Sequence, residues 1–569
     1  MEEARINFIA NDSLSENCSN KLEVKIENKI KFIQKGTSLY KVFKDNYEPQ
    51  NIPVTLVKIN GKYFEFTSSL EESGDFNPVD ITDSMGNRAY ERTLQFVLIK
   101  AAHDIFKDKK LIIEHSLDKS IFGEVIKDTP LNKEEIARIK ARMLEIIKKD
   151  MPISKIRVAR EKAIDIFTKY NMEDKVKLLN NLSSSEVNLY KLDGRYDYFY
   201  GPMAYSTGVL KLFDFIQYDS GFLLMFPDKN NPEVLPEFVE YKKLTKIFNE
   251  TKQWNNILGL SDVGSLNYKI QNNKIFYMIR IAEALHEKKI AYIADMISQR
   301  RSTKVVLISG PTSSGKTTFS KRLAIQLGVN GYIPVPISLD DYFVDRAHTP
   351  KDEDGNYDFE SIYALDLKLF NKQLQMLMNG EEVELPSFNF KNGCREWNGK
   401  KRKLPQNGII IIEGIHGLNE LLTSSIPKEK KFKIYISALT QLNLDNHNRI
   451  ATTDVRIIRR IVRDYMSRGY SAEDTLKIWP SVKKGEEKNI FVFQENADVM
   501  FNSTLVYELC VLKKYALEEI NKISDTSDVY SEALRLKSFL NFFKDVDEGL
   551  VPDNSILREF IGGSCFYKY

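Results

Sequence analysis

The stretch VVLISGPTSSGKTTFS, residues 305–320, decides how the rest of the chain is read. Val305 to Ser309 has the composition of a short buried strand, and Thr317 to Leu327 that of a helix. Between them Gly310, Gly315, Lys316 and Thr317 stand at the GxxxxGK(S/T) spacing. That spacing has a physical use. The loop of Gly310, Pro311, Thr312, Ser313, Ser314, Gly315, Lys316, Thr317 and Thr318 offers successive main-chain donors to phosphate oxygens, the lysine reaches the terminal phosphates, and the Thr317 hydroxyl holds Mg²⁺. The N-terminal amides and dipole of the following helix point at the same anion. A glycine-rich strand-to-helix turn without a ligand is the plain alternative.

Working outward, two further apolar runs end in acids. PVPISLDDYF, residues 334–343, is expected to be a strand ending in Asp340 and Asp341. GIIIIEGIHG, residues 408–417, is expected to be a buried strand ending in Glu413. Carboxylates at the C-terminal ends of strands face the ligand crevice of an open α/β sheet. Asp340 is thereby placed to orient a hydroxyl and take its proton, and Glu413 to hold Mg²⁺ with Thr317. A turn or cap role for Asp341, and an arginine partner for Glu413, are the structural alternatives. TTDVRIIRRIVRDYMSRGYS, residues 452–471, sets Arg456, Arg459, Arg460, Arg463 and Arg468 in a helical pattern. Such a run is often a solvated face, but guanidinium groups on a lid helix also stabilise a transferring phosphate.

Composition sets the bounds. The 569 residues are 42% hydrophobic and 28% charged, as in ordinary globular chains, and imply about three to five domains. A net charge of +3 does not call for a nucleic-acid partner. Cys18, Cys394, Cys510 and Cys565 show no CxxC spacing, which fits reduced thiols in a cytoplasmic protein. The polar start and the lack of a long apolar run predict no membrane anchor.

From about 303 to 505 the chain resembles the uridine kinase and phosphoribulokinase family of P-loop kinases. The markers run in order: GPTSSGKTT, ISLDDYF, YDFESIYALD, LPSFNFKNGCRE, IIIIEGIHG and DVRIIRRIVRD. The resemblance implies ATP-dependent phosphorylation of a nucleoside 5′-hydroxyl, with ATP and Mg²⁺ required. By position Asp340 matches the catalytic aspartate, Glu360 an acid on the ribose hydroxyls, Phe388 an aromatic beside the base, and Arg456 and Arg459 the lid arginines. Tyr342 and Arg395, from the same motifs, join the substrate side. Two positions depart from the pattern: Glu360 replaces an aspartate, and Gly393 stands where a base-reading histidine is usual.

The front half resembles something else. Residues 21–80 alternate apolar and polar residues and look like a TGS module. Residues 85–230 resemble the editing domain of threonyl- and alanyl-tRNA synthetases, notably in YERTLQFVLIKAAHDIF and DYFYGPMAYSTGVLKLFDF. Within that stretch KEEIARIKARMLEIIKKD puts Ile136, Ile139, Met143, Ile146 and Ile147 on one helical face. Where the editing family has metal ligands this chain has Arg92, Phe96, Phe199 and Met203, so neither metal nor ester hydrolysis is expected there. His103 and His115 lie nearby and read as packing or surface residues.

The expected fold is α/β. A polar tail (1–20) precedes a β-grasp-like TGS module (21–80), an α+β editing-like domain (85–230), a helical connector (231–300), a P-loop kinase domain with a parallel sheet (301–510) and a C-terminal helical segment (511–569). In the last, SEALRLKSFLNFF reads as an amphipathic helix, and VPDNSILREFIGGS as a helix terminator, with Arg558, Gly562 and Gly563 the residues to watch near the active site. The expected partner is a nucleoside, a nucleic acid is disfavoured except through the front half, and a homo-oligomer is left open. Three alternatives stand beside nucleoside phosphorylation: a kinase of another small alcohol or sugar phosphate, an NTP-dependent RNA- or tRNA-binding regulator, and an inactive scaffold.

Overall fold

A computed structural model of the chain describes residues 20–48, 50–352, 355–389, 392–440 and 442–566. Cys18 and nearly all of the polar tail lie outside these. The chain divides into two compact units, Met1–Val239 with Asn443–Arg449, and Glu240–Leu442 with Ile450–Tyr569.

The second unit is built on five strands: Ile333–Ser338, Gly408–Glu413, Val305–Ser309, Lys431–Ser437 and Val499–Asn502, in that spatial order and all parallel. Val305 to Ile308 and Ile409 to Ile412 are fully buried, as strands covered on both faces must be. One face packs on Phe370, Leu374 and Leu377 of the helix Leu367–Met378. The helix Lys316–Val329 follows the first strand and sends Phe319 against Phe501. The strand order reverses at Val305–Ser309, so the crevice outside its C-terminal end is where a doubly wound sheet takes a ligand. Within the connector expected at 231–300 lie the helices Lys242–Leu258, Val263–Gln271 and Ile275–Gln299.

The strand expected to end in Asp340 and Asp341 ends earlier. The strand Ile333–Ser338 stops before the aspartates, and Asp340 and Asp341 lie on the 3₁₀ turn Leu339–Tyr342. Ser338 is the last residue in register with Glu413, and Asp340 on the turn acts electrostatically on Glu413 and Lys316.

In the first unit five strands form a mixed sheet in which Lys21–Ile26 pairs with Lys29–Gln34 and, in parallel, with Gly74–Asp80. Asn60 and Gly61, at φ 48° and 81°, turn the hairpin between Val54–Ile59 and Lys62–Phe64. The helix Ser84–Ile105 follows, then two antiparallel sheets. The amphipathic helix Lys133–Lys148 opens on a capping box between Asn132 and Glu135 and buries Ile136, Ile139, Met143 and Ile146, with Ile147 at the edge of the same core. Among the described residues no helix is long and apolar enough to cross a membrane.

Candidate active site

The phosphate loop takes its shape from residues that tolerate unusual backbone. Ser313 and Gly315 have φ of 57° and 80°, and a Cβ at Gly310 would lie 2.1 Å from the Ile436 carbonyl oxygen. Beyond the loop, Lys316 opens its helix and donates from Nζ to the Pro311 carbonyl at 2.9 Å. The Thr317 hydroxyl lies 3.5 Å from each oxygen of Glu413, and Ser338 donates to the same carboxylate at 3.2 Å.

Charge is concentrated here. Burial, and then the neighbouring Asp340, push the Glu413 carboxyl up to about 7, against the pull of Lys316. Burial likewise lowers Lys316, with Glu413 and Asp340 working the other way. Lys316, Asp340 and Glu413 therefore form one electrostatic cluster beside the loop. The hydroxyls of Ser313 and Ser314 are buried with no hydrogen-bond partner among the described residues. Unpaired donors, a lysine and a helix N-terminus suit a polyphosphate, and the Thr317–Glu413 pair suits a hard divalent cation beside it.

The arginines are organised differently from a solvated face. Arg456 and Arg459, on the helix Thr452–Arg463, are 2% and 0% exposed. Arg456 pairs with Glu486 and donates from Nε to the Thr312 carbonyl at 3.1 Å, while its guanidinium lies over the Trp479 ring. Arg459 makes two bonds to Glu508, at 2.8 and 2.6 Å, reaches the Ser313 carbonyl at 3.3 Å, and stacks on Phe560 at 4.9 Å. Both thus hold carbonyls of the phosphate loop. Arg460 reaches toward the Thr312 hydroxyl at 3.5 Å and pairs with Asp464.

On the acceptor side, Tyr342 is buried, its hydroxyl donating to Gln373 at 2.7 Å. The Phe388 amide donates to Asp341 at 3.2 Å, and the Phe388 ring lies 5.7 Å from that of Phe343. Arg395 pairs with Asp366 at 3.1 Å and donates to the Phe343 carbonyl. Glu360 sits against Gly485, where a Cβ would come 2.5 Å from its own. Burial and the facing Glu486 push its carboxyl up to about 8, and its Oε2 has no partner among the described residues. Gly393 is at φ 67°, and a Cβ there would run into the Arg346 side chain at 2.9 Å. Tyr342 and Arg395 are therefore committed to protein partners, whereas Glu360 keeps an oxygen unspent.

Four residues of this site were not among those expected from the sequence, although Ile556 and Glu559 lie within VPDNSILREFIGGS. Glu486 accepts the Thr312 N–H at 2.8 Å, Glu508 holds Arg459, and Glu559 accepts from both the N–H and the hydroxyl of Thr318. Ile556 lies where a Cβ at Gly315 would meet it, 2.5 Å away. Arg558, by contrast, turns to the carbonyls of Glu548 and Val551. The signal available in sequence was indirect: buried arginines need carboxylates.

In the first unit, Phe96 and Phe199 pack ring to ring at 5.1 Å, the Met203 amide donates to Glu65, and Arg92 donates to the Pro202 carbonyl. His115 lies against Phe122, and His103 lines a cavity described below.

Residues 305–508 match the model of the Phosphoribulokinase / Uridine kinase family. The Uridine kinase of Halobacterium salinarum is 27% identical over 195 residues, 34% of this chain and 77% of that protein. The Threonine–tRNA ligase of Caldanaerobacter subterraneus subsp. tengcongensis is 27% identical over 179 residues, 31% of this chain; the chain spans only 28% of that ligase. A solved structure of a possible uridine kinase from Bacillus stearothermophilus is 20% identical, with a TM-score of 0.24, and covers 35% of this chain and 89% of its own. Residues 305–508 thus form a P-loop domain similar to the phosphoribulokinase and uridine kinase family, and the N-terminal region is distantly similar to threonyl-tRNA synthetase.

Proposed function

We propose that the chain phosphorylates the 5′-hydroxyl of a nucleoside, taking the phosphoryl group from ATP with Mg²⁺. The observation that carries this reading is the cluster of Lys316, Thr317, Glu413 and Asp340 at the open end of a parallel sheet, within the region that matches the kinase family. A bound magnesium ion would screen phosphate charge. Thr317 and Glu413 are the residues to hold it. Lys316 releases the Pro311 carbonyl and turns to the terminal phosphates, and the loop amides, with Ser313 and Ser314, orient them. Asp340 orients the acceptor hydroxyl and takes its proton. Glu360, with its spare oxygen, meets the sugar hydroxyls, and Phe388 the flat face of the base. Arg456 and Arg459 hold the loop in place, and Arg460 is the arginine turned toward it.

One observation favours a second reading. Arg346 fills the space beside Gly393, where the family places an imidazole, and a guanidinium there suits an acceptor that carries its own negative charge, such as a sugar phosphate. Incubating the purified chain with γ-labelled ATP and a pool of nucleosides and sugar phosphates, then identifying the labelled product, tests both. A labelled nucleoside 5′-phosphate supports the first, a labelled sugar bisphosphate the second, and inorganic phosphate alone overturns both.

A further inference from the structure

The first unit contains a cavity of about 240 Å³ that the reading above does not use. It opens between the end of the helix Ser84–Ile105, the start of the strand Lys110–Leu117, the turn after Arg160–Lys169, and the segment Asn443–Arg449. None of the four positions that correspond to editing-domain metal ligands lines it. Its floor is apolar, formed by Ile99, Ala102, Leu111 and Met172.

Its polar wall is built, not incidental. His447 is 4% exposed, and its Nδ1 is 2.7 Å from Asp197, which leaves the Nε2 edge for the cavity that the residue lines. Asp197 is in turn fixed by Lys175 at 2.9 Å, a fully buried lysine that also binds Asp445 at 3.0 Å. The Asn446 amide donates to Asp174 at 2.8 Å. The imidazole is thus held by a buried network, not by its own rotamer preference. Arg195 lies across the Tyr170 ring at 5.3 Å, with its Nε buried and without a hydrogen-bond partner among the described residues. Burial, and then the nearby Arg195, disfavour the protonated form of His103.

The charge balance points one way. Arg195, Lys107, Lys109, Lys110 and Lys169 line the cavity against Asp108 and Asp174, and Asp174 is already engaged by Asn446. The lining cations outnumber the lining acids, and Asp197 behind the wall also acts on Arg195. A dianion with an apolar or planar body supplies both halves, and the volume exceeds what a bare phosphate needs.

We propose that this cavity binds a small organic phosphate, the phosphate group meeting Arg195, His103 and His447 and the remainder lying on the apolar floor. The site belongs wholly to the first unit and does not depend on what the kinase domain phosphorylates.

The test is equilibrium titration of the full chain with uridine 5′-monophosphate and, separately, with inorganic phosphate, in the wild type and in Arg195→Gln and Lys316→Ala. The wild type is expected to show an event that Arg195→Gln weakens at least tenfold and Lys316→Ala leaves; a second event, lost in Lys316→Ala, is expected where the kinase site also takes the nucleotide. A single event that vanishes in Lys316→Ala, or Arg195→Gln binding like the wild type, overturns the proposal. Should Arg195→Gln not fold, His103→Asn serves in its place, expected to weaken the same event several-fold. Imidazole resonances of His103 and His447 should shift on adding uridine monophosphate to Lys316→Ala, and unmoved resonances would count against the site. Because phosphate transfer is not read, failure here leaves the kinase assignment standing, and failure there leaves this one.

Discussion

The carboxylate of Glu559 accepts hydrogen bonds from both the backbone N–H and the hydroxyl of Thr318, each at 2.9 Å. Thr318 is in the first turn of the helix that ends the phosphate loop, so its amide is one of the donors a phosphate would use. An acid supplied from near the end of the chain already sits there. With Phe560 stacked on Arg459 and Ile556 against Gly315, the segment packs along one side of the loop.

Glu559→Gln is therefore expected to bind ATP several-fold more tightly, since it removes a negative charge from a donor the nucleotide needs, worth about 1 kcal/mol. Calorimetric titration checks this. Equal or weaker binding would mean that the carboxylate only caps the helix.

Asp340→Asn should lower phosphate transfer by about 10²–10⁴-fold and leave ATP affinity nearly unchanged, as loss of a proton acceptor does. Lys316→Ala removes charged hydrogen bonds worth about 1.5–3 kcal/mol, and nucleotide affinity and turnover should fall together. Kinetics with saturating and limiting ATP separate the two cases. An active Asp340→Asn places the base elsewhere.

The pH behaviour follows from the two raised carboxyls. Glu360 ionises near 4.5 when unfolded and near 8 when folded. Between those values the folded chain keeps a proton that the unfolded chain has lost, so stability falls as pH rises through the window. Glu413, raised to about 7, acts in the same direction. Glu360→Gln should flatten the decline, recovering on the order of 2 kcal/mol near pH 8. Melting temperature against pH, without ligand, reads it, and parallel curves for variant and wild type would refute the assignment. Activity should move oppositely, rising from pH 6 to 8 as Glu413 becomes ionised for the metal.

Arg459→Ala should cost about 3–5 kcal/mol in urea unfolding, because it strands the buried Glu508 beside the loop. A solvated surface arginine would cost almost nothing. Arg459→Ala with Glu508→Leu should recover part of the loss.

Local pattern carried much of this molecule. Val305–Ser309 and Gly408–Glu413 are short, uninterrupted apolar runs, and a strand buried on both faces must look like that. The helix Lys133–Lys148 was legible from its apolar spacing. The end of Ile333–Ser338 was not, because nothing in the order of Ser338, Leu339 and Asp340 distinguishes one more strand residue from the first of a tight turn.

What the amino-acid order determined alone was the phosphate loop and the strand and helix around it, since these depend on neighbours in sequence: where glycine relieves the backbone, where an amide is left unpaired, where a side chain has no choice but burial. Which acids meet that loop was decided only by tertiary structure. Glu486, Glu508 and Glu559 lie 174, 49 and 241 positions from the residues they bind, Thr312, Arg459 and Thr318. Contacts at such separations are set by how whole elements pack, and an arginine that looks like a solvated face in sequence becomes a buried brace once a carboxylate is folded against it.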